Sequence, residues 1–267
     1  MTNPLAPSYG VLERTQVSSD IDFAVEKILR VGYCVFVPGF TAGTVTAIAR
    51  QFDKTQSDYL AKHDAERLLE RDEHNTVRLP LSLDEVFLDL ARTAKLLELV
   101  GRLISGKFIL NQQNGIVNPV SSRYNQDAWH RDLPYQHFTT SRSIAINALY
   151  CVDEFTADNG ATSVLPGTHL REAFPSDGFV QEHARQVLAP AGSFIVIDCM
   201  TYHRGEKNRT SHPRRAVNHV YTIPFIKQQI DIAAAMPAST LDDATRDLLG
   251  YRYATPRSVE EFLKSRP

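Results

Sequence analysis

The sequence has few cysteines and no long apolar run. Only Cys34, Cys151 and Cys199 occur in 267 residues, and each lies in an apolar or strand-like stretch. An odd number of cysteines in such surroundings is typical of buried free thiols in a reducing compartment. No apolar run approaches the roughly eighteen residues of a membrane span, and residues 1–16 lack a basic segment followed by an apolar one. We therefore expect a cytoplasmic protein that is neither secreted nor membrane-spanning.

The sequence also lacks an excess of charge of either sign. It has 29 basic and 31 acidic residues, a net charge of −2, and no cluster of basic residues. This balance gives no electrostatic reason to expect nucleic acid or an anionic membrane as a partner. A small-molecule substrate fits better, and the composition leaves the oligomeric state undefined.

No internal repeat or low-complexity tract is present, and 43% of the residues are hydrophobic. A chain of this length and composition can bury a sizeable core in one globular domain spanning 1–267. We divide it into an N-terminal arm at 1–17, a mainly helical support at 18–106, a core at 107–225 and a C-terminal helical tail at 226–267.

The support region carries several helix signals. Apolar positions on one face predict a helix that begins at Ser19 or Asp20 and ends before Gly32. Ser82 and Glu85 form a capping-box signature ahead of one or two further helices. The other predicted elements are a strand at 33–37, a helix capped by Thr41, an amphipathic helix at 58–73, and tail helices at 240–249 and 258–265, the last capped by Ser258 and Glu261.

From Lys107 the pattern changes towards a period of two. Short β-prone runs alternate with Gly, Pro and Asn, as they do in jelly rolls. The fold class predicted is mainly β with flanking helices, built on a double-stranded β-helix, the cupin-like jelly roll. The predicted strands are 107–117, 127–132, 142–153, 161–165, 185–189, 193–198, 201–204 and 214–223.

The most informative stretch is Trp129-His130-Arg131-Asp132. Side chains alternate in an extended segment, so His130 and Asp132 point the same way and can bind one metal ion. A third neutral imidazole, from His203, would complete a set of two histidines and one carboxylate. That set suits non-haem Fe(II) and leaves coordination positions open.

An arginine pair follows at a defined distance. Arg214 lies eleven residues after His203 and Arg215 comes next, ahead of a β-prone run. A guanidinium here could bind a carboxylate through two parallel hydrogen bonds. Because neighbours in a strand face opposite sides, only one of the two arginines can reach a shared site.

Together these residues resemble the phytanoyl-CoA dioxygenase family of Fe(II)/2-oxoglutarate-dependent oxygenases. The resemblance covers about residues 20 to 225 and rests on several motifs in the family's order. They are Trp-His-Arg-Asp at 129–132, Asn-Gly-Ala-Thr at 159–162, Leu-Pro-Gly-Thr-His at 165–169, Ala-Gly-Ser at 191–193, and His203 with Arg214.

The resemblance implies specific roles and cofactors. His130, Asp132 and His203 would bind Fe(II), and Arg214 would bind the distal carboxylate of 2-oxoglutarate, with O₂ as the third reactant. Relatives often carry a hydroxyl residue two positions after the distal histidine, where this chain has Gly205. Halogenating relatives replace the carboxylate ligand by a small residue, so Asp132 favours a hydroxylase.

The resemblance implies oxidation of a small-molecule metabolite or biosynthetic intermediate, with release of succinate and CO₂. Desaturation, epimerisation and cyclisation share the same ligands. Two other classes stay open: a jelly-roll metal enzyme that does not use 2-oxoglutarate, and a binding protein that has lost its metal. The intact ligand set with Arg214 argues against both.

Other residues are candidates for the pocket. Gln112 and Asn114 share one face of a strand and could offer amides to the cosubstrate or the substrate. Tyr135, Gln136 and His137 follow the metal motif and could bind substrate, as could Arg123 in the preceding loop. His212 and His219 are the nearest rivals to His203 as third ligand.

Overall fold

The computed structural model describes residues 10–11, 13–121, 125–133, 135–264 and 266. It confirms the fold class, with an antiparallel β core flanked by helices. The helices are α1 (Asp20–Val31), α2 (Ala42–His63), α3 (Ala65–Glu70), α4 (Glu85–Ala91), α5 (Ala94–Leu103), α6 (Asp177–His183), α7 (Ile232–Ala235), α8 (Asp243–Leu248) and α9 (Val259–Lys264). The strands are β1 (Tyr33–Phe36), β2 (Thr76–Arg78), β3 (Ile109–Asn118), β4 (Ala145–Cys151), β5 (Ser163–Val164), β6 (Arg185–Gln186), β7 (Phe194–Asp198), β8 (His203–Arg204) and β9 (Arg214–Thr222).

The strands form two antiparallel sheets. The larger sheet has the order β1-β7-β4-β9-β3-β2, and the smaller one has the order β6-β5-β8. In the larger sheet β3 pairs with β9 so that Asn114 lies opposite Asn218 and Asn118 lies opposite Arg214. Directly opposite residues point to the same face of a sheet. These polar side chains therefore share the face that looks towards the smaller sheet.

Alternation along the strands separates two apolar cores. Phe194 and Val196 of β7 pack with the helices on the outer face of the larger sheet. Ile195 and Ile197 of the same strand pack with Val164 of the smaller sheet. Because successive side chains of a strand face opposite ways, one strand contributes to both cores.

The end of α1 is fastened to the segment that leads into β8. The Ser19 hydroxyl caps the start of the helix by accepting from the N–H of Asp22 at 3.1 Å. Gly32 ends it with a φ of 88°, a left-handed conformation that favours glycine. Its carbonyl accepts from the N–H of Asp198 at 2.8 Å and from the hydroxyl of Thr201 at 3.1 Å. A Cβ at position 32 would lie 2.2 Å from that hydroxyl, so the contact requires glycine.

Two helix predictions were wrong in detail. Helix α2 runs without a break to His63, through the point at which a separate helix at 58–73 was expected to begin. The capping box of Ser82 and Glu85 is not formed. Asp84 caps α4 by accepting from the N–H of Val86, while the Ser82 hydroxyl donates to the carbonyl of Leu79. A carboxylate two positions nearer the helix caps it instead.

Two strand predictions also need correction. The segment 127–132 is not a strand: it makes an isolated bridge between His130 and His203. Strand β2 was not predicted, because three residues are too few to show a period. It pairs Thr76, Val77 and Arg78 with residues 116, 115 and 114 of β3.

The C-terminal tail follows the prediction closely. Helix α8 lies inside the predicted 240–249, and the Ser258 hydroxyl accepts from the N–H of Glu261 at 3.1 Å, as the capping signature required. Across the described ranges of the chain, no helix is both long and apolar enough to cross a membrane.

His219 lies in the core on the helix-facing side of β9. It is fully buried, donates from Nδ1 to the carbonyl of Ala148 at 3.0 Å and packs edge-on against Phe194. Burial lowers the pKa of His219 to about 4, although backbone hydrogen bonds oppose the shift.

We predict that His219 makes the fold sensitive to acid. The unfolded chain binds a proton at this residue below pH about 6.5, whereas the folded chain resists it until pH about 4, so stability falls as the pH drops through this window. The loss is roughly 3 kcal/mol in the free energy of unfolding. Urea unfolding between pH 4 and 7 should show a shallower dependence in His219→Phe. The partly exposed His183→Gln should behave as wild type, and equal slopes in all three proteins would contradict the prediction.

Candidate metal centre and active site

A short backbone bridge brings His130 and His203 side by side. The N–H of each donates to the carbonyl of the other at 3.0 Å, and the ring centroids are 4.4 Å apart. Asp132 is held by its own N–H, which donates to the carbonyl of Cys199 at 3.2 Å. One ligand atom from each of His130, Asp132 and His203 lies within 4.8 Å of the others. The three side chains named by the sequence are therefore assembled into one cluster.

The histidine tautomers suit metal binding. Nδ1 of His130 is 2.8 Å from the carbonyl of Ala128, and Nδ1 of His203 is 3.0 Å from that of Thr201. A carbonyl oxygen can only accept, so each Nδ1 carries the proton and each Nε2 presents a lone pair. Two such nitrogens and one carboxylate form the facial set typical of non-haem Fe(II), and the residues present fit this ion.

Asp132 is held in its ionised form. Burial by itself would raise its pKa, but the neighbouring His203 and His130 and a hydrogen bond from Asn147 lower it to about 2. The Asn147 amide donates to one carboxylate oxygen at 3.0 Å, and the other oxygen is 3.5 Å from Nε2 of His203. Burial lowers the pKa of His130, whereas for His203 the charge of Asp132 outweighs burial and raises it. Ionised carboxylate and neutral imidazole are the states that bind a metal.

Arg131 lies between two ligands and points the other way. It is 2% exposed, and its five N–H groups donate to five backbone carbonyls. Those carbonyls belong to Met200, Gln136, Glu172, Thr168 and Arg171. The guanidinium also stacks on the ring of Tyr202 at 4.1 Å. Arg131 is thus a structural cation that fixes the loops around the ligands.

An inner pocket lies beneath the triad and contains Arg214. Its lining includes Asp132, His203, Thr162 and Gly205. Arg214 is 3% exposed, and its guanidinium lies over the Phe155 ring at 3.8 Å. A buried cation in a pocket that the three triad residues also line suits a dicarboxylate bound there.

Arg215 faces the other way, as alternation required. It contacts Asp153 at 2.6 Å and Asp53 at 2.5 Å, and these carboxylates raise its pKa. The choice of Arg214 over Arg215 therefore agrees with the geometry.

An outer cavity of about 580 Å³ opens on the other side of the triad. Its lining includes Gln112, Asn114 and Gln136, which the sequence had named for cosubstrate or substrate. Gln112 and Asn114 line this cavity and are absent from the described lining of the inner pocket, which favours contact with the substrate.

The remaining substrate candidates lie at the surface or outside the described residues. Tyr135 is 64% exposed and stacks on Phe138, while His137 is exposed beside it. Neither is among the described residues that line the outer cavity. Arg123 lies outside the described residues.

Sequence reasoning missed Asn147, Thr162 and Asn218. All three line the inner pocket, and Asn218 also lines the outer cavity. Asn218 had a usable signal, because it lies four residues after Arg214 in a strand and so shares its face. Asn147 and Thr162 had none, since their positions depend on which strands pair.

The rival histidines are not ligands of this cluster. His212 is exposed in the loop before β9, and His219 is in the core on the opposite face of the sheet. His169, in the Pro-Gly-Thr-His turn, places Nε2 3.3 Å from the carbonyl of Leu29, next to Gly32. Its role is structural.

An antiparallel jelly roll that carries two histidines, one carboxylate and a buried arginine between its sheets has the architecture of the Fe(II)/2-oxoglutarate oxygenases. The model of the family described as Phytanoyl-CoA dioxygenase (PhyH) matches residues 28–216, well over half of the chain. The chain belongs to this family.

The chain is similar in sequence to a mycobacterial protein and in fold to two solved structures. Uncharacterized protein Rv1501 of Mycobacterium tuberculosis is 28% identical over 257 residues, covering 93% of each chain. EctD from S. alaskensis, solved with 2-oxoglutarate and 5-hydroxyectoine, has a TM-score of 0.66 at 20% identity, covering 85% of this chain and 83% of EctD. The epimerase SnoN, solved with Fe³⁺, alpha ketoglutarate and nogalamycin RO, has a TM-score of 0.57 at 19% identity, covering 83% of this chain and 92% of SnoN. At these identities the two structures show a shared fold.

We predict that the triad binds one divalent ion per chain. His203→Ala should bind Fe(II) at least about tenfold more weakly, because two ligands cannot complete the facial set. Anaerobic reconstitution, desalting and elemental analysis would measure the bound iron. His212→Ala removes an exposed histidine of the next loop and should retain full occupancy. Equal iron content in the two variants would show that His203 is not a metal ligand.

Proposed function

We propose that this chain is an Fe(II)- and 2-oxoglutarate-dependent dioxygenase that hydroxylates a small-molecule metabolite or biosynthetic intermediate. When bound, Fe(II), 2-oxoglutarate and O₂ supply the oxidant, and the cosubstrate leaves as succinate and CO₂. This proposal goes beyond family membership, which by itself leaves the reaction open.

One observation carries the proposal. His130 and Asp132 line both the inner pocket and the outer cavity, so the metal site lies in the wall between two chambers. The inner chamber contains Arg214, and the outer one is large enough for a substrate. Cosubstrate and substrate would then meet the metal from two sides, which matches a reaction with two organic partners.

The chain's own residues have separate tasks. His130, Asp132 and His203 hold the ion, and Asn147 keeps the Asp132 carboxylate oriented. Arg214 binds the distal carboxylate in surroundings from which most water is excluded, so this pairing is stronger than at the surface. The protein supplies geometry and electrostatics to chemistry that belongs to the cofactor.

Hydroxylation is the outcome that the ligand set favours. Asp132 occupies the coordination position that a halide would otherwise need, and its contacts with Asn147 and His203 hold it there. No described residue at the site favours desaturation, epimerisation or cyclisation over hydroxylation.

We predict that Arg214→Lys raises the Kd for 2-oxoglutarate at least about tenfold. Lysine keeps the charge but lacks the planar fork that binds a carboxylate through two hydrogen bonds. The measurement is anaerobic titration of the Fe(II)-loaded chain with 2-oxoglutarate, followed through the visible charge-transfer band.

The neighbouring Arg215→Lys is the matched control, because Arg215 faces Asp153 and Asp53. It should bind 2-oxoglutarate as wild type does. If wild type binds iron but gives no band, the proposed use of 2-oxoglutarate is wrong. Equal effects of the two substitutions would show that Arg214 does not bind the cosubstrate.

A further inference from the structure

The outer cavity has an unusual lining. Eight of the sixteen described residues around it are Asn or Gln, whereas only Ile116 and Leu133 are apolar, and no aromatic residue is among them. Ligand cavities are usually lined mainly by apolar and aromatic side chains. This departure points to the kind of molecule that the cavity accepts.

Some of these carboxamides are committed to the fold. The Asn111 amide donates to the Thr222 hydroxyl and to two backbone carbonyls, and the Gln228 amide donates to the carbonyls of Leu110 and Leu249. These two residues fasten the C-terminal tail to the sheet.

Others are free to bind a ligand. The Gln112 side chain has no hydrogen-bond partner within the described part of the chain, and neither has the carboxamide oxygen of Asn114, which is 3% exposed. The oxygen of Asn218 accepts from the backbone N–H of Asn114, and that of Gln136 accepts from the N–H of Arg131. The amide groups of Asn218 and Gln136 remain available.

Of the four charged residues in the described lining of the cavity, three are already engaged. Asp132 belongs to the metal site, Arg131 is bound by five carbonyls, and Arg78 contacts Glu73 at 2.5 Å. Lys227 is exposed at the surface. Within the described lining, the middle of the cavity therefore offers hydrogen bonds without a net charge.

We propose that the outer cavity binds an uncharged, hydroxyl-rich molecule of saccharide or cyclitol chemistry. A carboxamide has both hydrogen-bond donors and an acceptor. A hydroxyl group can accept from the donors and donate to the acceptor. An aliphatic chain would instead bury the free carboxamides without hydrogen-bond partners, which is unfavourable. That the bound molecule is the substrate rests on the proposed function. Its binding can be measured without turnover.

The test is ligand-observed NMR on the full chain, with and without Zn(II) and 2-oxoglutarate. The ligands are methyl α-D-glucopyranoside, sucrose and myo-inositol, compared with decanoate and glucose 6-phosphate. We expect at least one uncharged polyol to bind, and Gln112→Met or Asn114→Leu to weaken that binding about fivefold or more. The exposed Gln181→Met should leave it unchanged.

Absence of polyol binding overturns the inference, and so does binding of decanoate or glucose 6-phosphate alone. Polyol binding that Gln112→Met and Asn114→Leu leave intact also overturns it, because the contact would then lie elsewhere. Failure of the proposed function is seen separately, as the missing charge-transfer band in the 2-oxoglutarate titration.

A second observation concerns the inner pocket and position 205. Glycine provides no side chain there, although the position follows His203 by two residues and faces the pocket. Strand β5 pairs with β8 so that Val164 lies opposite His203 and Ser163 opposite Arg204. Continued one step, this register would place Thr162 opposite Gly205, and both residues line the inner pocket. Opposite residues point to the same face, about 5 Å apart at Cβ.

Thr162 is well placed to bind a carboxylate. It is 5% exposed and lines the same pocket as Arg214, and its backbone is held by the N–H of Val187 at 2.8 Å. Its hydroxyl has no hydrogen-bond partner among the described residues. A carboxylate that pairs with a guanidinium keeps lone pairs for a further donor.

We infer that the Thr162 hydroxyl donates to the distal carboxylate of the cosubstrate, in place of a side chain at position 205. This inference also rests on the proposed function. Thr162→Val preserves the shape and removes the hydroxyl, so the Kd for 2-oxoglutarate should rise about fivefold or more.

Gly205→Ser offers a rescue. Gly205 is not among the described glycines with positive φ, so serine can adopt its backbone conformation. In the Thr162→Val background it should return the Kd to within about twofold of wild type. The anaerobic titration measures both, and iron affinity checks the fold. Unchanged binding in Thr162→Val, or failure of Gly205→Ser to restore it, overturns the inference, whereas absent binding in wild type contradicts the proposed function.

Discussion

The arrangement of the site depends on one buried cation, Arg131. Its five N–H groups are used by backbone carbonyls from three separate segments of chain, at Gln136, at 168–172 and at Met200. A guanidinium that is desolvated to this degree needs each of these partners, because an unpaired buried charge is costly. Arg131 lies between His130 and Asp132. The alternation that turns the two ligands towards the metal turns Arg131 into the loops, so one extended segment both presents the ligands and fixes what surrounds them.

The second feature is the division of the interior into two chambers that share the triad. The inner face of β9 carries Arg214 in one chamber and Asn218 in both. The inner chamber is small and closed by apolar side chains such as Ile197 and Leu149, which strengthens the attraction between a guanidinium and a carboxylate. The outer chamber is larger and rich in carboxamides, which suits directional hydrogen bonds. Under the proposed function, charge in one chamber and hydrogen bonding in the other would distinguish the cosubstrate from the substrate.

Most of the fold was predictable, and the failures have identifiable causes. The strands from β3 to β9 were predicted to within a few residues, because their apolar runs are bounded by Gly, Pro and Asn. Strand β2 is too short to show a period. Asp84 caps α4 in place of Ser82, because its carboxylate is a comparable N-cap acceptor two residues nearer the helix. The stretch 127–132 is a single bridge rather than a strand. His130 and Asp132 nevertheless point to the same side, because side chains alternate along any extended backbone, whether or not it is paired in a sheet.

The sequence by itself determined the ligand types and their spacing, and local alternation required that only one of Arg214 and Arg215 could face the site. The choice of Arg214 came from the resemblance to the family. The sequence also determined the fold class, because the spacing of the apolar residues differs between helices and strands. Only the tertiary structure decided that Asn147 supports Asp132, that Thr162 and Gly205 line one pocket, and that Gln112 and Asn114 line the outer cavity. Those relations join residues from different segments of the chain. The packing of the whole sheet sets which strands pair, and a local sequence pattern does not contain that information.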